Sequence, residues 1–85
     1  MTSLRISVIV PTWKEAGSIA ACVASVRAFA SEVIVVDAGG DGETAAIAEA
    51  AGARVLAATT KGRGPQLHQG ALAASGDVLL FLHAD

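Results

Sequence analysis

Four short apolar runs punctuate the chain: Ile6 to Val10, Val33 to Val36, Arg54 to Ala57 and Val78 to Leu82. Each is continuous rather than alternating, the pattern of strands covered on both faces. Between the first two, Ile19, Cys22, Val23, Val26 and Phe29 recur at helical spacing, which predicts an amphipathic helix over residues 16 to 29 with Cys22 buried on its apolar stripe. A second helix is expected from near Glu43 and Thr44 through Ile47 to Ala51, stopping at Gly52. The third is placed after Gly64-Pro65, carrying Leu67, Ala71 and Ala74 before Ser75-Gly76-Asp77 turns the chain. The order is therefore β-α-β-α-β-α-β. Right-handed crossovers make it an α/β, Rossmann-like parallel sheet of four strands with three helices.

Length and composition fit one small domain. Of 85 residues, 53% are hydrophobic and 16% charged, a balance that favours a packed core over a disordered chain. Folding at this size buries only about 60 to 65% of the unfolded surface, so stability is expected to be marginal. The net charge of -2 is spread without a basic block, which argues against nucleic acid as a partner. No run reaches the roughly 20 apolar residues of a transmembrane segment, and the amino terminus lacks a signal-peptide pattern. Cys22 is the single cysteine, so no intrachain disulfide forms and a reducing, cytoplasmic setting is expected. Three helices on two faces of four strands leave apolar surface uncovered, from which self-association into a homo-oligomer is expected.

Chemistry gathers where the apolar runs end. After the first come Pro11-Thr12-Trp13-Lys14-Glu15: proline ends the strand for want of an N–H, and Trp13 suits the rim and floor of a base-binding slot, though it equally suits a cap on the core beside a solvated helix start. After the second, Asp37 precedes Ala38, Gly39 and Gly40 and offers a carboxylate where backbone can approach a ligand closely. Capping the following turn is the competing role for Asp37, and Asp41 is as well suited to start the turn into the second helix. Before the third helix, Thr60 to Gln66 holds Lys61 and Arg63 beside a helix start, a seat for phosphate oxygens or simply a solvated loop; His68 and Gln69 follow on its first turns, facing either ligand or solvent. The last run ends in His83-Ala84-Asp85. Residues two apart on a strand share a side, so the His83 imidazole and the Asp85 carboxylate suit one divalent cation with phosphate oxygens and water completing its shell; two ligands alone do not define a metal site, and an ordinary strand end is the competing reading.

Taken together, SVIVPTWKE, VIVVDAGGDGET, GRGPQLHQGA and GDVLLFLHAD, in this order, resemble the amino-terminal half of a family 2 glycosyltransferase with the GT-A fold. The GRGPQLHQGA segment with His-Ala-Asp is similar to a small bacterial branch of that family. The resemblance implies that residues 1 to 85 form the half binding a nucleoside diphosphate sugar, a partial GT-A fold. It also implies that the acceptor half and its catalytic base fall outside this sequence, so that the chain alone lacks turnover. Carried over, it puts Pro11, Thr12, Glu15, Asp37 and Arg63 at the nucleotide, Asp85 on Mn2+ or Mg2+ bridging the diphosphate, and His83 less directly on metal or ribose; with Trp13, Gly39 and Lys61 from the reading of the residues themselves, these complete the expected nucleotide site. Lys14 stands where the family usually has asparagine, Ala38 where many members have a second acid, and Gly40 and Gly42 where serine and aspartate are usual. The implied reaction transfers the sugar to an acceptor hydroxyl with inversion. A non-catalytic nucleotide-binding or assembly module is the alternative. A dinucleotide oxidoreductase is disfavoured because no G-x-G-x-x-G follows the first strand, and a P-loop enzyme because Lys61-Gly62-Arg63-Gly64 lacks the G-K-[ST] ending.

Overall fold

The computed structural model describes residues 3–84. It contains β1 (Ile6–Thr12), α1 (Ile19–Arg27), β2 (Glu32–Asp37), α2 (Thr44–Ala50), β3 (Arg54–Ala57), α3 (Arg63–Ala73) and β4 (Val78–Phe81). All pairings are parallel and the sheet order is β3-β2-β1-β4. The chain thus steps outward through β2 and β3, then crosses back to the far side of β1. Keeping every crossover right-handed puts α1 and α2 on one face and α3 on the other.

Alternate residues of the two central strands feed the two cores. Val8, Val10, Val33 and Val35 meet Ile19, Val23 and Val26 of α1 and Ala48 of α2. Ile9, Ile34 and Val36 face Leu67, Ala73 and Ala74 on the α3 side. Most of the strand residues are wholly buried, each contributing about 1.5–3 kcal/mol relative to exposure. Because α3 lies over β1 and β2, the edge strand β4 leaves Val78, Leu79, Leu80 and Phe81 exposed. The uncovered surface expected from the helix count is therefore this edge.

Three boundaries differ from the sequence pattern. The first helix starts at Ile19, not residue 16, because Glu15 to Ser18 form a turn closed by Ser18 and Ile19 donating to the Glu15 carbonyl, and Gly17 disfavours helix. It ends at Arg27, so Phe29 falls beyond it and is 50% exposed rather than on the apolar stripe. Cys22 is half-buried, not fully buried, and burial raises its thiol pKa, with Glu15 adding a smaller upward push. The third helix begins before Gly64-Pro65 rather than after it, at Arg63. Pro65 is tolerated there since the first-turn N–H groups have no intrahelical acceptor anyway, and Gln66 N–H closes the turn onto the Gly62 carbonyl at 2.9 Å.

At the amino edge of the sheet, Glu32 accepts from the Ser7 hydroxyl at 2.5 Å and the Ser75 N–H at 2.6 Å, while Gly76 N–H reaches Ser7 Oγ at 2.8 Å. These donors, the Ser7 hydroxyl first, hold the Glu32 carboxyl below its ordinary range. The cluster ties the turn before β4 to β1 and β2. It lies at the opposite end from the chemistry.

Candidate functional site

Pro11 does not end β1 but divides its two ladders. On the β4 side, Leu82 N–H reaches the Ile9 carbonyl at 3.0 Å, and the next bond would need an N–H at residue 11, where proline has none. Pairing with β4 therefore stops at Ile9 and Phe81, whereas pairing with β2 runs on to Thr12 and Asp37. Past Pro11 the two strands part at the point where the chain's direction across the sheet reverses. Open α/β sheets bind ligands in such crevices.

A cleft of about 240 Å³ fills this gap, lined on the β1 side by Pro11, Thr12, Trp13 and Glu15 and on the others by Lys61, Gly62, Arg63, Gln66, His83 and Ala84. Seven of the residues singled out from the sequence thus converge. Asp37 and Gly39 do not line it. They border a second cavity of about 240 Å³ with Ala38, Ala45, Val55, Ala57 and Ala58. A hydrogen bond links their walls: the buried Thr12 hydroxyl donates to Asp37 Oδ1 at 2.7 Å. Gly39 N–H donates to the other oxygen at 3.2 Å, so the carboxylate, 9% exposed, is fixed in orientation. Asp37 thus caps its own turn, and its carboxylate also stands at the wall of the second cavity.

Trp13 is 44% exposed, with the Lys61 ammonium 3.4 Å from its ring centroid and that of Lys14 4.7 Å away. Gly40 makes this arrangement possible: φ is +104°, and a Cβ there would lie 2.9 Å from Trp13 Nε1. Lys14 itself adopts φ +56°, the left-handed region that asparagine, usual in the resembled pattern, occupies more readily. Holding lysine there costs on the order of 1 kcal/mol.

The loop before α3 is anchored by a residue that the sequence did not single out. Gln66 is 4% exposed; its amide donates to the carbonyls of Thr12 at 3.0 Å and Val36 at 2.8 Å and accepts Gly62 N–H at 2.9 Å. It locks Gly62 to the ends of β1 and β2, which leaves Lys61 and Arg63 flanking a fixed point. A glutamine in a polar loop carries no periodic signal, so only its contacts reveal this role. Gln69 likewise serves structure, accepting Thr59 N–H at 3.0 Å and donating to the Ala57 carbonyl at 2.8 Å. His68 is exposed and lines neither cavity.

Arg63 donates from Nη2 to His83 Nε2. Guanidinium has no acceptor, so His83 accepts with Nε2 and carries its proton on Nδ1. His83 lies past the end of β4, which corrects the expectation that strand alternation sets its direction. Asp85, expected to bind metal, lies outside the described residues. Among the described residues no three His, Cys, Asp or Glu side chains converge as a metal site, and no helix is long and apolar enough to cross a membrane. Asp41 takes the turn role: it accepts the N–H groups of Glu43 and Thr44 and the Thr44 hydroxyl, donors that lower its pKa, those of Thr44 most. Thr44 Oγ1 in turn accepts Glu15 N–H at 3.0 Å, so the loops after β1 and β2 are braced together.

Glycosyl transferase family 2 matches residues 7–85. Among solved structures, mannosyl-3-phosphoglycerate synthase from Rubrobacter xylanophilus superposes with a TM-score of 0.89 at 23% identity, over 96% of this chain and 31% of that one. Glucosyl-3-phosphoglycerate synthase from Mycobacterium tuberculosis, in complex with Mn2+, uridine diphosphate and glucosyl-3-phosphoglycerate, gives 0.87 at 29% identity, over 98% and 34%. The same enzyme with Mn2+, UDP-glucose and phosphoglyceric acid gives 0.84 at 28%, over 98% and 34%. The chain spans about a third of the length of these proteins.

Proposed function

The chain belongs to glycosyl transferase family 2 and has the fold of its GT-A members, and from that premise we propose that its cleft binds the nucleoside diphosphate of an activated sugar whose sugar passes to an acceptor hydroxyl. One observation carries the proposal. An aromatic ring, two cations and a helix start are gathered where β1 and β4 part, and the Thr12 hydroxyl at that wall holds the Asp37 carboxylate of the neighbouring cavity. The M. tuberculosis relative, solved with Mn2+ and UDP, supports the donor class.

In this reading the base packs on Trp13, and the nucleoside end lies toward Asp37, whose carboxylate accepts from a base N–H or ribose hydroxyl while Thr12 keeps it aimed. The diphosphate lies toward Lys61, Arg63 and the start of α3, whose N–H groups favour an anion. Negative charge grows on the departing diphosphate, so cations fixed there stabilise the transition state more than the ground state. Asp85 would supply a carboxylate donor of the kind Mn2+ or Mg2+ takes, with diphosphate oxygens and water completing the shell, while His83, its Nε2 engaged by Arg63, serves the nucleotide side. Such a metal ion would add Lewis-acid stabilisation of the leaving group. The transfer is proposed to invert the anomeric centre in one displacement, and the single cysteine fits a reducing, cytoplasmic setting.

Titrating UDP, GDP and ADP, each with and without Mn2+, while following Trp13 fluorescence tests this. Saturable binding of one nucleotide is expected, weakened about 10- to 30-fold in Asp37→Asn, which keeps the acceptor for Thr12 but loses the charge and the acceptor for Gly39 N–H. If none of the three binds to folded protein, the proposal fails.

The exposed apolar β4 edge supports self-association of the chain, as an unpaired strand readily adds another. Light scattering across a concentration series is expected to show mass rising above the monomer. A constant monomer mass would exclude it.

A further inference from the structure

We infer that Lys61 makes the cleft read base and diphosphate as one ligand, because its ammonium covers the ring face of Trp13 that a base would use and leaves only when an anion arrives beside that base. The inference rests on the nucleoside diphosphate reading above.

Trp13 and Lys61 both line the cleft, whereas Lys14 does not, so the Lys61 ammonium covers the ring from the cleft side. At 3.4 Å from the centroid it fills the layer in which a stacked base would lie. A cation over indole and a base over indole are attractions of similar size, so exchanging one for the other gains little. A nucleoside without phosphate offers the displaced ammonium no anionic partner. A nucleoside diphosphate does, through short charge-assisted hydrogen bonds.

The displacement needs no loop opening. Gln66 holds Gly62 from both sides, through Gly62 N–H to Oε1 and its own N–H to the Gly62 carbonyl, each at 2.9 Å. Lys61 is exposed and makes no side-chain hydrogen bond among the described residues, so rotation about its own side chain suffices. Arg63 is engaged with His83 instead and does not compete for the ring. Lys61 thereby acts as a specificity-determining residue: it penalises bare nucleosides and rewards diphosphates.

Calorimetry of the wild-type chain and Lys61→Ala, with UDP and with uridine, each with and without Mn2+, tests this. Circular dichroism confirms equal folding, as expected for an exposed side chain. Uridine is expected to bind about fivefold tighter to Lys61→Ala and UDP about tenfold weaker, so the preference for UDP over uridine shrinks by about 50-fold. A plain phosphate contact would weaken UDP and leave uridine unchanged. UDP binding to wild type with a uridine affinity that Lys61→Ala leaves unchanged or lowers overturns this inference alone. Failure of wild type to bind UDP, GDP and ADP alike overturns the donor reading and the inference with it.

Discussion

Gly70→Ala is expected to destabilise the chain by about 1–3 kcal/mol, although alanine is the better helix former by about 1 kcal/mol. Gly70 is buried in α3 at its closest approach to the sheet. A Cβ there would overlap Ile9 Cγ2 and lie 3.1 Å from Val36 Cγ2. Ile9 and Val36 are wholly buried on the two central strands, so neither can yield without disturbing the core packed between the sheet and α3. Overpacking therefore outweighs propensity. For a chain this size each kcal/mol moves the melting temperature by about 4–8 °C, so a fall of about 4–24 °C is expected by circular dichroism. Gly64→Ala, in the first turn of the same helix, is the contrast: its Cβ would meet no atom of the sheet within 4 Å, and with Pro65 after it limiting any gain in helix propensity the change should stay within about 1 kcal/mol. A stable Gly70→Ala would mean that α3 rides farther from the sheet.

Gln66→Leu should cost about 1–3 kcal/mol and weaken UDP binding about tenfold. The substitution nearly conserves volume, so the effect isolates three hydrogen bonds, two donated to the Thr12 and Val36 carbonyls and one accepted from Gly62. The Thr12 carbonyl keeps its ladder bond from Ala38 N–H, but Gly62 N–H loses its acceptor. Stability falls through that orphaned donor. Affinity falls because Lys61 and Arg63 are then carried by a loop no longer pinned to the sheet, and small errors of position are costly in a charged site. Urea denaturation and UDP calorimetry read the two effects separately. Loss of stability with unchanged affinity would show that Lys61 and Arg63 do not depend on the anchor.

Much of the fold was legible because apolar runs and helical spacing are local signals. Val33 to Val36 reads as a buried strand and Ile19, Val23 and Val26 as a buried helix face before any contact is known. Helix ends were less legible. Pro65 looks like a first residue of α3 yet occupies its third position, because a first turn tolerates proline throughout. Phe29 matched the stripe by spacing alone, and spacing cannot tell where a helix has stopped.

The sequence by itself determined the four strands, the three helices and the gathering of polar residues at strand ends, since each is set by side chains near one another in the chain. Only the tertiary structure decided that Pro11 cuts the ladder to β4 while sparing that to β2, that Gln66 pins the cation loop, and that Lys61 covers Trp13. These depend on which strands become neighbours and which loops meet above them. Residues such as Gln66 and Thr12, 54 positions apart, are brought together by the crossover and not by any local pattern.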